Sequence, residues 1–424
     1  MAAKTDNPRE HTIRTALISV SDKDGLQDFA KTLHAHGIQI LSTGGTAKAL
    51  REDGFTVTEI SDYTGFPEIM DGRIKTLHPA VHGGILARRN RDEDAQAMQA
   101  HDISAIDMVV VNLYPFSQVM AEGADFDTCI ENIDIGGPAL IRAAAKNHTD
   151  VTVITDPEDY EGVKQELDER GGATSYSLRK SLAATAYART ASYDASIAGW
   201  FDANRMDDFP RRINFTGTWQ QNLRYGENPH QAGAVYRDGT QRPGVITAQQ
   251  LQGPALSYNN LADADAAFEL VAEFDAPTVA IVKHNNPCGI ASAKTLARAY
   301  EKALACDPVS AFGGIIATNQ PLDAEAAQEM IQVYSEVIIA PSIASEAMEI
   351  LSEKSKIRVL TTGDIPDRTS RQLQVRSLAG GLLVQQRDFG HMDEDGLNIV
   401  SEREPTDDEL ADMLFAFTVV KHVK

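Results

Sequence analysis

Short apolar runs separated by stripes at helical spacing organise the first third of the chain. TALISV (residues 15–20), GIQILS (37–42), DMVVVNLY (107–114) and VTVIT (151–155) each suit a buried strand, and the intervals between them leave room for crossover helices. Between the first two runs, Leu26, Phe29, Ala30 and Leu33 place one apolar stripe on a helix. The pattern predicts a parallel α/β sheet over roughly the first 155 residues. From 175 to 201, Leu178, Leu182, Ala186, Tyr193, Ile197 and Trp200 recur at helical spacing and predict one long helix.

The polar, Pro-interrupted stretch ANRMDDFPRRINFTG then breaks the periodicity, so a domain boundary is expected near 204–214, giving domains 1–204 and 205–424. The second half alternates again. TVAIVKH, GGIIAT and VIIAP read as strands, and ADADAAFELVAEF, AKTLARAYEKALA and DAEAAQEMIQVY as helices. Thr406 and Glu409 predict a capping box before a final helix whose apolar face is Leu410, Met413, Leu414, Phe417 and Val420. No C-cap follows before the chain stops at VVKHVK, so a polypeptide shorter than its natural parent is expected, with apolar surface left on that helix.

Composition narrows the function classes. At 424 residues the chain is long enough for two or three domains with large cores. A formal charge of −22 argues against a general nucleic-acid surface. Three cysteines, Cys129, Cys288 and Cys306, without CxxC spacing, suggest neither a disulfide framework nor a zinc ribbon. The N-terminus lacks an apolar signal core and no run of about 18 apolar residues occurs, which predicts a soluble, cytoplasmic protein without a membrane partner.

Candidate chemistry gathers at strand ends. ILSTGGTAKAL (40–50) reads as strand, Gly-rich turn and helix; Gly44 and Gly45 allow close phosphate approach, and Ser42, Thr43 and Thr46 supply hydroxyls. An ordinary βα turn is the competing reading. SVSDKDGL (19–26) places Ser21, Asp22 and Lys23 at the same expected sheet edge, where a helix cap is the alternative. DGRIKTLHP (71–79) sets Arg73 and Lys75 beside Thr76, suited to a phosphate or a developing oxyanion, although a surface cation pair would look the same. Asn112 and Tyr114 end an apolar strand, and Asp134 precedes a helix opened by Gly-Gly-Pro that also carries Lys146. Asp134 could be a helix-dipole partner, and Lys146, beside an alanine-rich buried face, could have a depressed pKa suited to proton transfer.

KHNNPCG (283–289) reads as a turn following an apolar strand and admits three chemistries. Cys288 with His284 as base lacks an orienting third residue. A zinc deaminase signature needs H-x-E and a second Cys three residues after Cys288, where Ala291 stands. General acid–base work by Lys283 and His284, with Asn285 and Asn286 orienting, remains, against a loop histidine paired to backbone.

Taken in order, SVSDKDGL, STGGT, RIKTLHP, NLYPF, IDIGG with AAAKNH, RYGENPHQ, KHNNPCG and SAFGG resemble the bifunctional purine-biosynthesis family that combines AICAR transformylase with IMP cyclohydrolase. The resemblance runs from about residue 12 to the last residue. It implies a methylglyoxal-synthase-like parallel-sheet domain, with a core at about 12–157, that closes formyl-AICAR to IMP. A cytidine-deaminase-like α/β domain without zinc, incomplete here, would follow and transfer a formyl group from 10-formyltetrahydrofolate to the AICAR amine.

By motif position the resemblance makes Lys146 the proton-transfer residue supported by Asp134, with Lys75 and Tyr114 acting on the formyl group. Ser21, Asp22, Lys23, Ser42, Thr43, Gly44, Gly45, Thr46, Arg73, Ile74, Thr76, Val111, Asn112 and Ile135 would hold the nucleotide. In the second domain His284 takes the amine proton with help from Lys283, Cys288 is a bystander, and Arg224, Tyr225, Asn260, Phe312, Gly313 and Glu336 contact substrate. The vertebrate-type pattern has Asp where this chain has Glu336.

The resemblance also implies a homodimer, folate as cosubstrate, and no metal or redox cofactor. The family continues past KHVK with a segment that completes the transformylase site, so this chain is expected to keep mainly the cyclohydrolase. Two other classes stand beside it: a non-catalytic phosphate-ligand sensor and a Cys-dependent hydrolase.

Overall fold

The computed structural model describes residues 10–70, 72–203, 209–392 and 397–424. The chain divides into two compact units between Thr216 and Gly217. The boundary expected between 204 and 205 falls at residues outside those described.

In the first unit the apolar runs form five parallel strands, in the order Val57–Glu59, Gln39–Ser42, Thr15–Ser19, Met108–Val111 and Thr152–Ile154. Helices cover both faces of such a sheet, which is why the run at Met108–Val111 is apolar throughout and buried at every position. The stripe at Leu26, Phe29, Ala30 and Leu33 is the buried face of helix Leu26–Ala35, and Phe29 stacks on Tyr160 with ring centroids 4.5 Å apart. The long helix spans Tyr176–Ala203.

Strand order reverses at the junction of Thr15–Ser19 and Met108–Val111. In open α/β sheets ligands bind in the crevice outside the carboxyl ends of the strands flanking such a reversal. The topology therefore marks the loops beginning at Val20 and Asn112.

The opposite edge of this sheet is fastened by Asp107. Its buried carboxylate accepts the N–H groups of Arg14 at 2.9 Å and Thr15 at 3.1 Å and meets His11 Nε2 at 3.2 Å. Burial opposes ionisation, but the His11 contact and the two amides outweigh it and hold the carboxyl below its ordinary value. A group depressed in the folded state contributes its stability above the unfolded pKa and loses it as pH falls through the folded one. Asp107→Ala is expected to cost about 3 kcal/mol at pH 7, because it leaves two strand amides without their acceptor. Thermal unfolding should show this penalty shrinking as the pH is lowered below about 4.

The second unit is built on a six-stranded mixed sheet, in the order Gln249–Gln252, Arg358–Thr361, Val337–Ala340, Ile315–Thr318, Thr278–Lys283 and Asn286–Ser292. Alternate residues of its central strands feed two cores: Val279, Ile281, Ile316 and Ile338 on one face, and Ala280, Val282, Ile315 and Ile339 on the other. Thr406 and Glu409 form the expected capping box on helix Asp407–Val420, which packs Phe415 against Phe274 at 4.9 Å. Met413, Phe417 and Val420 on the same helix are exposed. Among the described residues no helix is long and apolar enough to cross a membrane.

Candidate active sites

Several loops meet at the carboxyl end of the first sheet. Helix Gly44–Glu52 begins after Thr43, whose extended backbone makes it the N-cap, yet no side chain caps the first turn. Leading amides and a dipole of this kind can hold an anion such as a phosphate. Lys75 Nζ lies over this turn, only 3.8 Å from where a side-chain carbon would stand on Gly44. Glu68, not expected from the sequence, pairs with the same ammonium at 3.8 Å.

Several expected ligands also bond to the loops around the site. Ser42 Oγ donates to the Ile18 carbonyl at 2.7 Å, and the Thr46 hydroxyl both accepts from Val20 N–H at 3.1 Å and donates to the Val20 carbonyl at 2.9 Å. Thr43 Oγ1 meets Ser19 Oγ at 3.1 Å. Asn112 Oδ1 accepts the amides of Ser21 at 2.6 Å and Asp22 at 3.1 Å, while its Nδ2 donates to the Asp22 carbonyl at 2.8 Å. These side chains fix the loops at the strand ends. Ser21, Asp22 and Lys23 are exposed on that braced loop, and Val111 is buried beneath it.

A further loop brings Asp134. Its carboxylate accepts Gly137 N–H at 2.8 Å at the opening of helix Gly136–Lys146. Burial is the largest influence and raises the carboxyl above its ordinary value, against the amides of Gly137 and Tyr114 and the charge of Lys75, which lower it. Lys75, Asp134 and the Tyr114 backbone are therefore neighbours. Thr76 Oγ1 closes the group, 3.0 Å from where a methyl on Gly136 would stand. Tyr114 and Ile135 are both exposed at this mouth. Arg73 is paired with Glu131, and Ile74 bridges to Ile69 in the same loop. Asp71 lies outside the described residues.

Lys146 departs from expectation. It ends the helix that Gly136 begins, so at 1.5 Å per residue its backbone stands about 15 Å along the axis from the Asp134 end. Ala143, Ala144 and Ala145 face the core, but Lys146 follows Arg142 by four residues on the outer face and is exposed. Its side chain is not buried, and the length of the helix separates the backbones of Lys146 and Asp134.

In the second unit KHNNPCG is mostly strand, a correction to its reading as a turn. Thr278–Lys283 pairs antiparallel with Asn286–Ser292, leaving only His284 and Asn285 to turn the chain, with φ of 55° and 59°. Positive φ at both central residues is the type I′ hairpin geometry. Asp263, on helix Tyr258–Val271, accepts both turn amides, from His284 at 3.3 Å and from Asn285 at 2.7 Å. His284 is exposed at the tip.

Pairing shifts register between Ile281 and Val282, so Cys288 occupies a bulge. Gly289 follows where the Ala303 carbonyl of helix Leu296–Cys306 leaves no room for a Cβ. Burial pushes the Cys288 thiol up, away from thiolate, which weighs against a nucleophile.

Lys283 Nζ donates to the Phe312 carbonyl at 3.0 Å, and Gly313 N–H donates to the Tyr334 carbonyl at 2.7 Å. Glu336 reaches the buried Asn260, accepting its Nδ2–H at 2.6 Å. These residues share one end of the sheet. Arg224 and Tyr225 lie on the loop after strand Thr218–Leu223, which is tied to the Asn260 helix through Asn259 Nδ2–H and the Glu227 carbonyl at 3.4 Å. The C-terminal segment arrives at the same end, where Lys424 N–H donates to Asn286 Oδ1 at 2.8 Å. Among the described residues no cluster of three or more His, Cys, Asp or Glu is placed to hold a metal ion.

The sequence profile of the AICARFT/IMPCHase bienzyme family matches residues 144–424, and that of the MGS-like domain matches residues 25–139. The chain is 57% identical over 412 residues to a bifunctional purine biosynthesis protein PurH of Rhodospirillum rubrum, covering 97% of this chain and 78% of that one. It is 56% identical over 415 residues to the protein of the same description from Roseobacter denitrificans, with the same coverage of 97% and 78%. A solved chain described as the crystal structure of ForH aligns at 36% identity over 45% of this chain and 100% of its own, with a TM-score of 0.40. Matched by a family profile across its larger part, and more than half identical to PurH proteins over nearly all of its length, the chain belongs to the AICARFT/IMPCHase bienzyme family.

Proposed function

We propose that the principal activity of this chain is the closure of formyl-AICAR to IMP in its first unit, within the last two steps of purine biosynthesis that the family performs. The observation that supports this reading best is the convergence of an uncapped helix N-terminus, Lys75 and a half-buried Asp134 at the carboxyl end of the sheet. A non-catalytic sensor of phosphate ligands would need the first of these and not the other two.

The reaction is a net loss of water. The carboxamide nitrogen adds to the formyl carbon, negative charge develops on the formyl oxygen, and that oxygen leaves after protonation. In this reading Lys75 stabilises the developing oxyanion, and Asp134, whose carboxyl burial raises above its ordinary value, exchanges a proton with the attacking nitrogen. The leading amides of Gly44–Glu52 hold the phosphate and Tyr114 borders the mouth, so orientation supplies much of the remaining acceleration.

In the second unit His284 is assigned as the base for formyl transfer from 10-formyltetrahydrofolate to AICAR, with Lys283 beside it. Asn260, Phe312, Gly313 and Glu336 shape that end, and Arg224 and Tyr225 approach from their own hairpin. A cytoplasmic homodimer acting on small nucleotides and folate fits this reading.

Incubation of the chain with formyl-AICAR is expected to yield IMP, followed by chromatography. Binding without turnover would favour the sensor. Adding 10-formyltetrahydrofolate and AICAR in a parallel assay measures the second reaction separately.

A further inference from the structure

We infer that Tyr193 is a positioning residue for ring closure, setting the carboxyl of Asp134 from a helix that lies outside the site; the inference rests on the role given to Asp134 above. Tyr193 is half-buried on helix Tyr176–Ala203. Its hydroxyl accepts Asp134 N–H at 2.8 Å and donates to the Asn132 carbonyl at 3.2 Å. One oxygen thus serves both a donor and an acceptor of a loop with no ladder of its own. The ring stands edge-on to Phe116, centroids 6.4 Å apart, two residues beyond Tyr114. Tyr193 therefore touches two of the segments that bring polar groups to Asp134, the third being that of Lys75.

The loop has little slack. A methyl on Gly137 would stand 2.8 Å from Leu113 Cδ2 and would collide with the Asp134 carboxylate itself. The carboxylate stays within reach of the Gly137 and Tyr114 amides only while its backbone is held, and those amides lower a pKa that burial raises. Without the hydroxyl, Asp134 N–H and the Asn132 carbonyl lose the partner that fixes them. The loop relaxes toward water, and the carboxyl moves off its amides. Two consequences follow: proton transfer slows, and the carboxyl titration moves, because it loses both the amides that lower it and part of the burial that raises it.

The test is Tyr193→Phe, which keeps the ring and its packing. Turnover of formyl-AICAR is expected to fall by about tenfold to 10²-fold, as for a small misplacement of a reacting group. KM should change little, because no phosphate contact is touched. The acid limb of the kcat profile should move, and carbon NMR of the Asp134 carboxyl should show the same displacement in the absence of substrate. Phe116→Leu disturbs the ring contact and leaves the hydroxyl, so it should leave the titration in place.

A folded Tyr193→Phe protein with an unmoved carboxyl titration would overturn the inference, even if its turnover fell. If wild-type protein fails to cyclise formyl-AICAR, the functional reading is lost. The NMR titrations of wild type and Tyr193→Phe then still decide whether Tyr193 sets this carboxyl.

Discussion

Asp134→Asn is expected to lower formyl-AICAR turnover by about 10²–10⁴-fold, the range typical of a lost proton-transfer group, while nucleotide affinity stays close to wild type. The amide is nearly isosteric and can still accept the Gly137 N–H, so the loss should appear in kcat. Lys75→Met provides the complementary result. Its ammonium favours the Asp134 carboxylate, so removing it should push an already raised carboxyl further up. The acid limb of the kcat profile, above the ordinary aspartate value of 3.8 in the wild type, should then move to still higher pH in Lys75→Met. Turnover should fall as well, because the formyl oxygen loses its cation. Rate profiles of the two variants against pH check both statements. A Lys75→Met profile with the wild-type acid limb would separate Lys75 from Asp134, and near wild-type turnover in Asp134→Asn would remove the carboxyl from the reaction.

What was readable in the sequence follows from how strongly each feature depends on local pattern. The parallel strands announce themselves because both faces are covered, so Met108–Val111 has no polar position. Gln249–Gln252 leaves no such signal: it is a polar edge strand, QQLQ, paired only with Arg358–Thr361. Phosphate-site motifs at strand ends were legible as places, yet not as roles. Ser42, Thr46 and Asn112 bond to the backbone of the loops around the site, and nothing in their spacing distinguishes a brace from a ligand.

Lys146 shows a different limit. Its neighbours are alanines facing the core, but on a period of 3.6 the residue between two buried positions need not be buried. Tyr193 and Asp263 act across 59 and 21–22 residues of chain, as hydrogen-bond partners of loops to which no sequence motif connects them. Tyr193 did carry a signal, as a hydroxyl on a largely apolar helix face, and a half-buried hydroxyl needs a partner. Pro287 and Gly289 disguised the hairpin, since both residues read as breakers; a bulge and a close helix contact are where strands tolerate them.

The His284 turn should set stability against chemistry. Type I′ geometry favours glycine or asparagine at its two central positions. Asn285 meets that preference and His284, at φ 55°, does not. A side chain in the left-handed region costs about 1 kcal/mol or more, and such residues persist where surrounding contacts over-determine them. Here Asp263 supplies that determination by accepting both turn amides, at 3.3 and 2.7 Å. His284→Gly should therefore raise the stability of the second unit by about 0.5–1 kcal/mol, the relief of strain being partly offset by the greater freedom of glycine in the unfolded chain. Asp263→Ala should cost about 1–3 kcal/mol, since the turn amides lose a charged acceptor. In the double variant the two effects should not add: glycine adopts the turn without help, so the Asp263 penalty shrinks, and a double-mutant cycle in urea reads the difference. Formyl transfer from 10-formyltetrahydrofolate should fall by about 10²–10⁴-fold in His284→Gly despite the stability gain, because the base is gone. A glycine variant that is less stable than wild type would show that the hairpin tip carries no strain, and one that transfers formyl groups at the wild-type rate would show that the strain is not there to hold a catalytic base.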